Sequence, residues 1–155
     1  MSLDNLTVLG STVREPIDHV EVFAAGDDSV EFFGGTVNTK YMASIFSDDD
    51  HFDIDQGYRG KNQFWFAIQA PDRGDKGFEL DNGKNGDSVY QSATPVSMPN
   101  FANITVINST TSNASDNTLG IGLRTWTGVN MWNVIQKNGE VNRSEEHTSE
   151  LQSHS

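Results

Sequence analysis

Residues 47–60, SDDDHFDIDQGYRG, place Asp48, Asp49 and Asp50 just before Asp53 and Asp55, which alternate with Phe52 and Ile54. Grouped carboxylates can do three kinds of chemistry. They ligate hard cations, they act as acid and base in glycoside cleavage, and they accept N–H bonds in turns. Such crowding has a cost, because like charges about 5 Å apart repel by roughly 1 kcal/mol in full water screening and by several at a surface-like dielectric. Salt and side-chain splay, a retained proton or a bound divalent cation can each relieve it.

The surrounding pattern says which elements carry these groups. GDDSVEFFGG from Gly26, DDDHFDIDQG from Asp48 and GDKGFELDNG from Gly74 superimpose, and SDNTLGIGLR from Ser115 is a weaker fourth copy. Each copy is preceded by another alternating stretch: IDHVEVF, VNTKYMASIF, NQFWFAIQ and FANITVIN, with a fifth, VNMWNVIQ, from Val129. The unit is strand, acidic turn, strand, glycine turn, in about 22 to 26 residues, too short for a helical crossover of roughly 30. The period predicts an all-β chain, a right-handed single-stranded parallel β-helix of about four to five coils. Residues 83–100 and 108–117, rich in Gly, Ser, Asn, Thr and Pro, read as loops interrupting the solenoid.

Stacking at the inter-strand spacing then predicts two inward ladders, Val30, Phe52, Phe78, Leu119 and Phe32, Ile54, Leu80, Ile121. The outward columns are Glu31, Asp53, Glu79, Gly120 and Phe33, Asp55, Asp81, Gly122. Two readings of this patch stay open: a solvated acidic face, or a divalent-cation site built from Glu31, Asp53, Asp55, Glu79 and Asp81. Calcium, Ca2+, suits the second, since it takes six to eight oxygens in flexible geometry. The turn aspartates Asp27, Asp28, Asp49, Asp50 and Asp75 have the plainer role of accepting backbone N–H bonds. In QFWFAIQ, unbroken alternation puts Phe64, Phe66 and Ile68 on one face and Trp65 on the other, so Trp65 is outside if Phe66 and Ile68 are core; a strand buried on both faces is the open alternative. Trp65 and Arg59 are therefore the expected glycan contacts. Arg59, Arg73 and Arg124 all lie near acidic turns, where ion pairing is their ordinary use.

Composition narrows the partners. Lys and Arg number 10 against 22 Asp and Glu, for a net charge of −12, which argues against nucleic acid and anionic membranes. Cysteine is absent, so thiolate metal sites and disulfides are excluded. No apolar run reaches the roughly 18 residues of a membrane span. His19 and His51 lack a second histidine at ligand spacing, and no nucleophile elbow, phosphate loop or dinucleotide fingerprint occurs. Residues 143–154, RSEEHTSELQSH, resemble the conceptual translation of a short-read sequencing adapter. The expected division is a β-helix fragment over residues 1–142 and a non-native or disordered tail over 143–155, which would make this a truncated piece of a longer solenoid.

GDDSVEFFGGTVNTKY and DDDHFDIDQGYRGKNQFWFAIQ resemble the repeat units of large exported bacterial β-helix proteins, with EFFGG and DQGYRG the most specific parts. The resemblance spans roughly residues 6–136. It implies a β-helix at an extracellular or outer cell-surface location and supplies no reaction. Two functions follow as expectations. One is a non-catalytic structural, adhesive or glycan-contacting module whose partner is an extracellular polysaccharide or cell-surface glycan. The other is a calcium-dependent polysaccharide lyase or glycoside hydrolase using Asp53, Asp55, Glu79 and Asp81 with Arg59.

Overall fold

The computed structural model describes residues 5–10, 15–83, 94–109, 119–138, 140–143 and 152–153. The chain alternates between two parallel sheets. Sheet A holds the short strands β1 (Leu6–Leu9), β3 (Val30–Phe33), β5 (Phe52–Asp55), β7 (Phe78–Leu80), β9 (Leu119–Leu123) and β11 (Glu140–Arg143), in that spatial order. Sheet B holds the longer β2 (Ile17–Phe23), β4 (Thr39–Ile45), β6 (Lys61–Ile68), β8 (Asn100–Ile107), β10 (Asn130–Lys137) and the two-residue β12 (Gln152–Ser153). This is a parallel β-helix, as the repeat predicts. Among the described residues the strands mark six coils, where four to five are expected: LTVL precedes the first acidic copy, and β11 and β12 follow the last full one. Arg143, Gln152 and Ser153 fall inside the segment set aside as a tail, and much of both interrupting loops lies outside the described residues.

The inward ladders form between coils one and four. Val30, Phe52 and Phe78 pair in register, as do Phe32, Ile54 and Leu80, and all six are fully buried. Full burial of such side chains contributes about 1.5 to 3 kcal/mol each. The ladder then slips by two residues: Phe78 pairs with Ile121 and Leu80 with Leu123, so Leu119 and Ile121 are not their partners as expected. The side chain of Leu119 lies outside the described ones. Glycines line the slipped region. Gly122 stands beside Glu79, and a Cβ there would meet the Lys76 stem at 3.0 Å, while one on Gly77 would meet the Gly120 carbonyl at 2.5 Å. The glycines thus leave space over the sheet that Lys76 fills.

Sheet B departs from simple alternation. One residue in the middle of each of β2, β4, β6, β8 and β10 is left-handed: His19 (φ 55°), Tyr41 (φ 55°), Phe64 (φ 59°), Asn103 (φ 60°) and Asn133 (φ 53°). They occupy one position of successive coils, between flanking pairs that keep register. A left-handed residue turns the strand so that it and its predecessor both face outward. Gln63 and Phe64 therefore point out, and Trp65 and Ala67 turn in. Trp65, expected at the surface, is only 1% exposed. Its ring packs on Phe52 at 4.4 Å and Phe101 at 5.1 Å between centroids, and its Nε1 donates to Thr39 Oγ1 at 2.8 Å. It is the centre of the core.

Candidate functional site

The acidic face of sheet A forms where β3, β5 and β7 present their alternate residues. Glu31, Asp53 and Glu79 pair along one outward column, as expected. The five expected metal ligands do not gather at one point, however. They divide three ways, according to what the turns and the cations of the next coil take.

Glu79 is taken by cations. Arg124 Nη1 bonds Glu79 Oε1, and Lys76 Nζ lies 3.1 Å from the same oxygen. Lys76 also pairs with Asp75 and stands 3.8 Å from Asp50. Burial pulls the Lys76 pKa down, but Asp50, Asp75 and Glu79 outweigh it and hold the ammonium above its usual range. Asp55 and Asp81 are spent on turns. Asp55 Oδ1 accepts the Gln56 N–H at 2.6 Å, and Asp81 Oδ1 accepts those of Asn82 at 2.7 Å and Gly83 at 3.2 Å. Asp81 is buried, with Arg124 Nε 3.9 Å from its Oδ2.

Glu31 and Asp53 form the third group, and the residue that joins them is Asp28. One carboxylate oxygen from each of Asp28, Glu31 and Asp53 lies within 4.8 Å of the others. No Lys or Arg pairs with any of the three among the described residues. Asp28 does accept the Asp50 N–H at 2.9 Å in its expected turn role, and Thr7 Oγ1 donates to Glu31 at 3.1 Å. Those bonds leave the triad without a compensating charge. Burial, followed by repulsion from Asp28, Glu79, Asp50 and Asp55, lifts the Asp53 pKa to about 9. Burial also lifts Asp28 to about 7, where the Asp50 N–H opposes it and Asp49, Glu31 and Asp27 assist. Glu31 is raised for the same first reason. Two further triads, Asp27/Asp28/Asp49 and Asp49/Asp50/Asp75, run along the adjoining turns, the second with Lys76 beside it.

Asp28, Lys76 and Arg124 are the residues that sequence reasoning undervalued. Their signal was present: Asp28 stands three residues before Glu31, and Lys76 three before Glu79. Arg59, the expected basic partner, is exposed on the turn after β5, and among the described residues it makes no ion pair with this face. Arg73 pairs with Asp48 at 3.1 Å, the ordinary use expected for it. His51 points inward, where its Nδ1 hydrogen-bonds Ser44 Oγ, and burial pulls its pKa down to about 4.

A family model for the pectate-lyase-like β-helix domain matches residues 4–154. The chain belongs to that family. A search of curated proteins and one of solved structures each returned no match. In this pectate-lyase-like domain the donor set of Asp28, Glu31 and Asp53 fits a hard divalent cation. All its ligand atoms are carboxylate oxygens, no Lys or Arg among the described residues pairs with them, and half-burial strengthens their attraction for a cation.

Proposed function

We propose that this domain is part of an exported, cell-surface β-helix that acts as a non-catalytic structural or adhesive module and contacts polysaccharide through a divalent cation held on sheet A. The observation that supports it is the uncompensated triad of Asp28, Glu31 and Asp53 beside cations that are already consumed. Calcium bound there would neutralise the triad and offer its remaining coordination positions to sugar hydroxyl or carboxylate oxygens. The chain's own part is to fix three ligands across two consecutive coils, Glu31 and Asp53 on paired strands and Asp28 on the turn before β3. Lys76 and Arg124 hold Glu79 in place one coil further on. Neither is free to take a proton, because each is wrapped by carboxylates that favour its charged form.

One observation favours the lyase or hydrolase alternative: Arg124 and the acidic triad occupy the same sheet face, with Asp53 and Glu79 directly paired between them. The two readings separate in one set of measurements. Thermal unfolding and retention on immobilised polygalacturonate are recorded in calcium and in chelator, for the parent and for Asp28→Asn with Asp53→Asn. Calcium at a hundredfold excess over Kd should stabilise the parent by about 2.7 kcal/mol and the double variant by nothing. Retention should follow the same pattern, with no new reducing ends released. A parent indifferent to calcium removes the cation, and polysaccharide cleavage that Arg124→Ala abolishes replaces the adhesive reading with the enzymatic one.

A further inference from the structure

The bend in sheet B leaves two adjacent outward columns. One is Asp18, Lys40, Gln63, Ala102 and Trp132; the other is the left-handed column from His19 to Asn133. In the first, a small residue sits between two large ones. Ala102 pairs with Gln63 on one side and with Trp132 on the other, so a slot opens over it. Its volume is about 270 Å³, and its lining is Lys61, Asn62, Gln63, Asn100, Phe101, Ala102 and Trp132. Two strand spacings of roughly 4.8 Å separate the backbones of Gln63 and Trp132, which suits one six-membered ring standing on edge between them.

We infer that this slot is a sugar-binding site, separate from the acidic sheet, that takes one pyranose ring of a neutral glycan against Trp132. The indole is 38% exposed, whereas the Trp65 and Phe101 rings are drawn into the core; Tyr41 and Phe64 in the neighbouring outward column are exposed as well. A ring left at a slot wall offers an apolar face to the C–H face of a sugar. The opposite wall and the rim supply amides, from Gln63 and Asn100, that match hydroxyl groups. Few polar groups placed around an apolar floor are the usual make-up of a small-ligand site. Charge selects the neutral class: the slot carries one charged side chain, Lys61, on a chain of net charge −12 whose field opposes anions. The left-handed column beside it is filled by stacked Tyr41 and Phe64, 5.1 Å apart, and then by Asn103, which accepts from Asn133 Nδ2 at 2.6 Å. Those contacts stiffen the strands that carry the walls.

Titration of the full chain with gluco-, manno-, galacto- and xylo-hexaose, followed by calorimetry and tryptophan fluorescence, tests the site. At least one neutral hexamer should bind and shift the indole emission. Trp132→Ala should weaken it by about tenfold or more. Ala102→Leu should do the same by filling the slot while leaving Trp132 in place, with circular dichroism confirming that both variants are folded. Chelator and Asp53→Asn should leave this binding unchanged, so its failure is distinct from failure of the cation site. The assignment is overturned if none of the four hexamers binds, if an oligogalacturonate is the sole ligand, or if both variants bind as the parent does.

Discussion

Replacing Asp53 by Asn removes one charge from the acidic triad and keeps the side chain's shape. Asp53 has a folded pKa of about 9 against an unfolded value near 3.8, first because it is half-buried and then because Asp28, Glu79, Asp50 and Asp55 surround it. A raised folded value means that the folded state keeps a proton which the unfolded chain releases. Stability from this group is therefore complete below pH 3.8 and is lost as pH rises towards 9. Each proton of difference costs about 1.36 kcal/mol per pH unit, so Asp53 alone removes roughly 2.7 kcal/mol between pH 5 and pH 7. Asp28 adds the same sign up to about pH 7, and Glu31, Asp49, Asp55 and Asp81 are also raised. His51 works in the opposite direction. Its folded value of about 4 makes stability fall as pH drops from 6.5 through 4, which offsets about one carboxyl in that window. The parent should accordingly lose stability from pH 5 upward, and more steeply above pH 6.5. Asp53→Asn should match the parent near pH 4 and exceed it by about 2 kcal/mol at pH 7, after solvent screening is allowed for. Urea midpoints followed by circular dichroism in chelator, from pH 4 to pH 8, provide the measurement. A difference between parent and variant that does not change with pH, or a variant less stable at pH 7, would refute the reasoning.

Two further outcomes follow from the packing. Phe52→Asp or Leu80→Asp puts a charge into a fully buried ladder and should abolish the cooperative unfolding transition in calorimetry; a folded variant would contradict the register. At the left-handed position, Phe64→Asn should be tolerated as Asn103 and Asn133 are, whereas the β-branched Phe64→Ile should lower stability by about 1 to 2 kcal/mol in the same urea assay, and equal stability of the two would show that the bend imposes no constraint.

The solenoid was legible in the residues because it rests on a repeat. Acidic, apolar and glycine positions recur with a period that one coil sets, so Val30, Phe52 and Phe78, and with them the outward Glu31, Asp53 and Glu79, fall into columns before any coordinates are known. Period-two alternation holds wherever backbone angles stay extended, as in β3, β5 and β7. It fails where one residue turns left-handed, because the change in φ at Phe64 reverses every side chain after it. Nothing in NQFWFAIQ taken alone marks that residue, so alternation places Trp65 outside while the structure buries it. The acidic site divides along the same line. That carboxylates would crowd on one sheet follows from their spacing along the chain. Which of them are left uncompensated was decided by tertiary contacts: Gly122 makes room for Lys76, Arg124 reaches back to Glu79, and Asp28 comes over from the preceding turn to join Glu31 and Asp53. Charge acts through space over a few ångströms, and separation along the chain between stacked coils says little about that distance until the register is known.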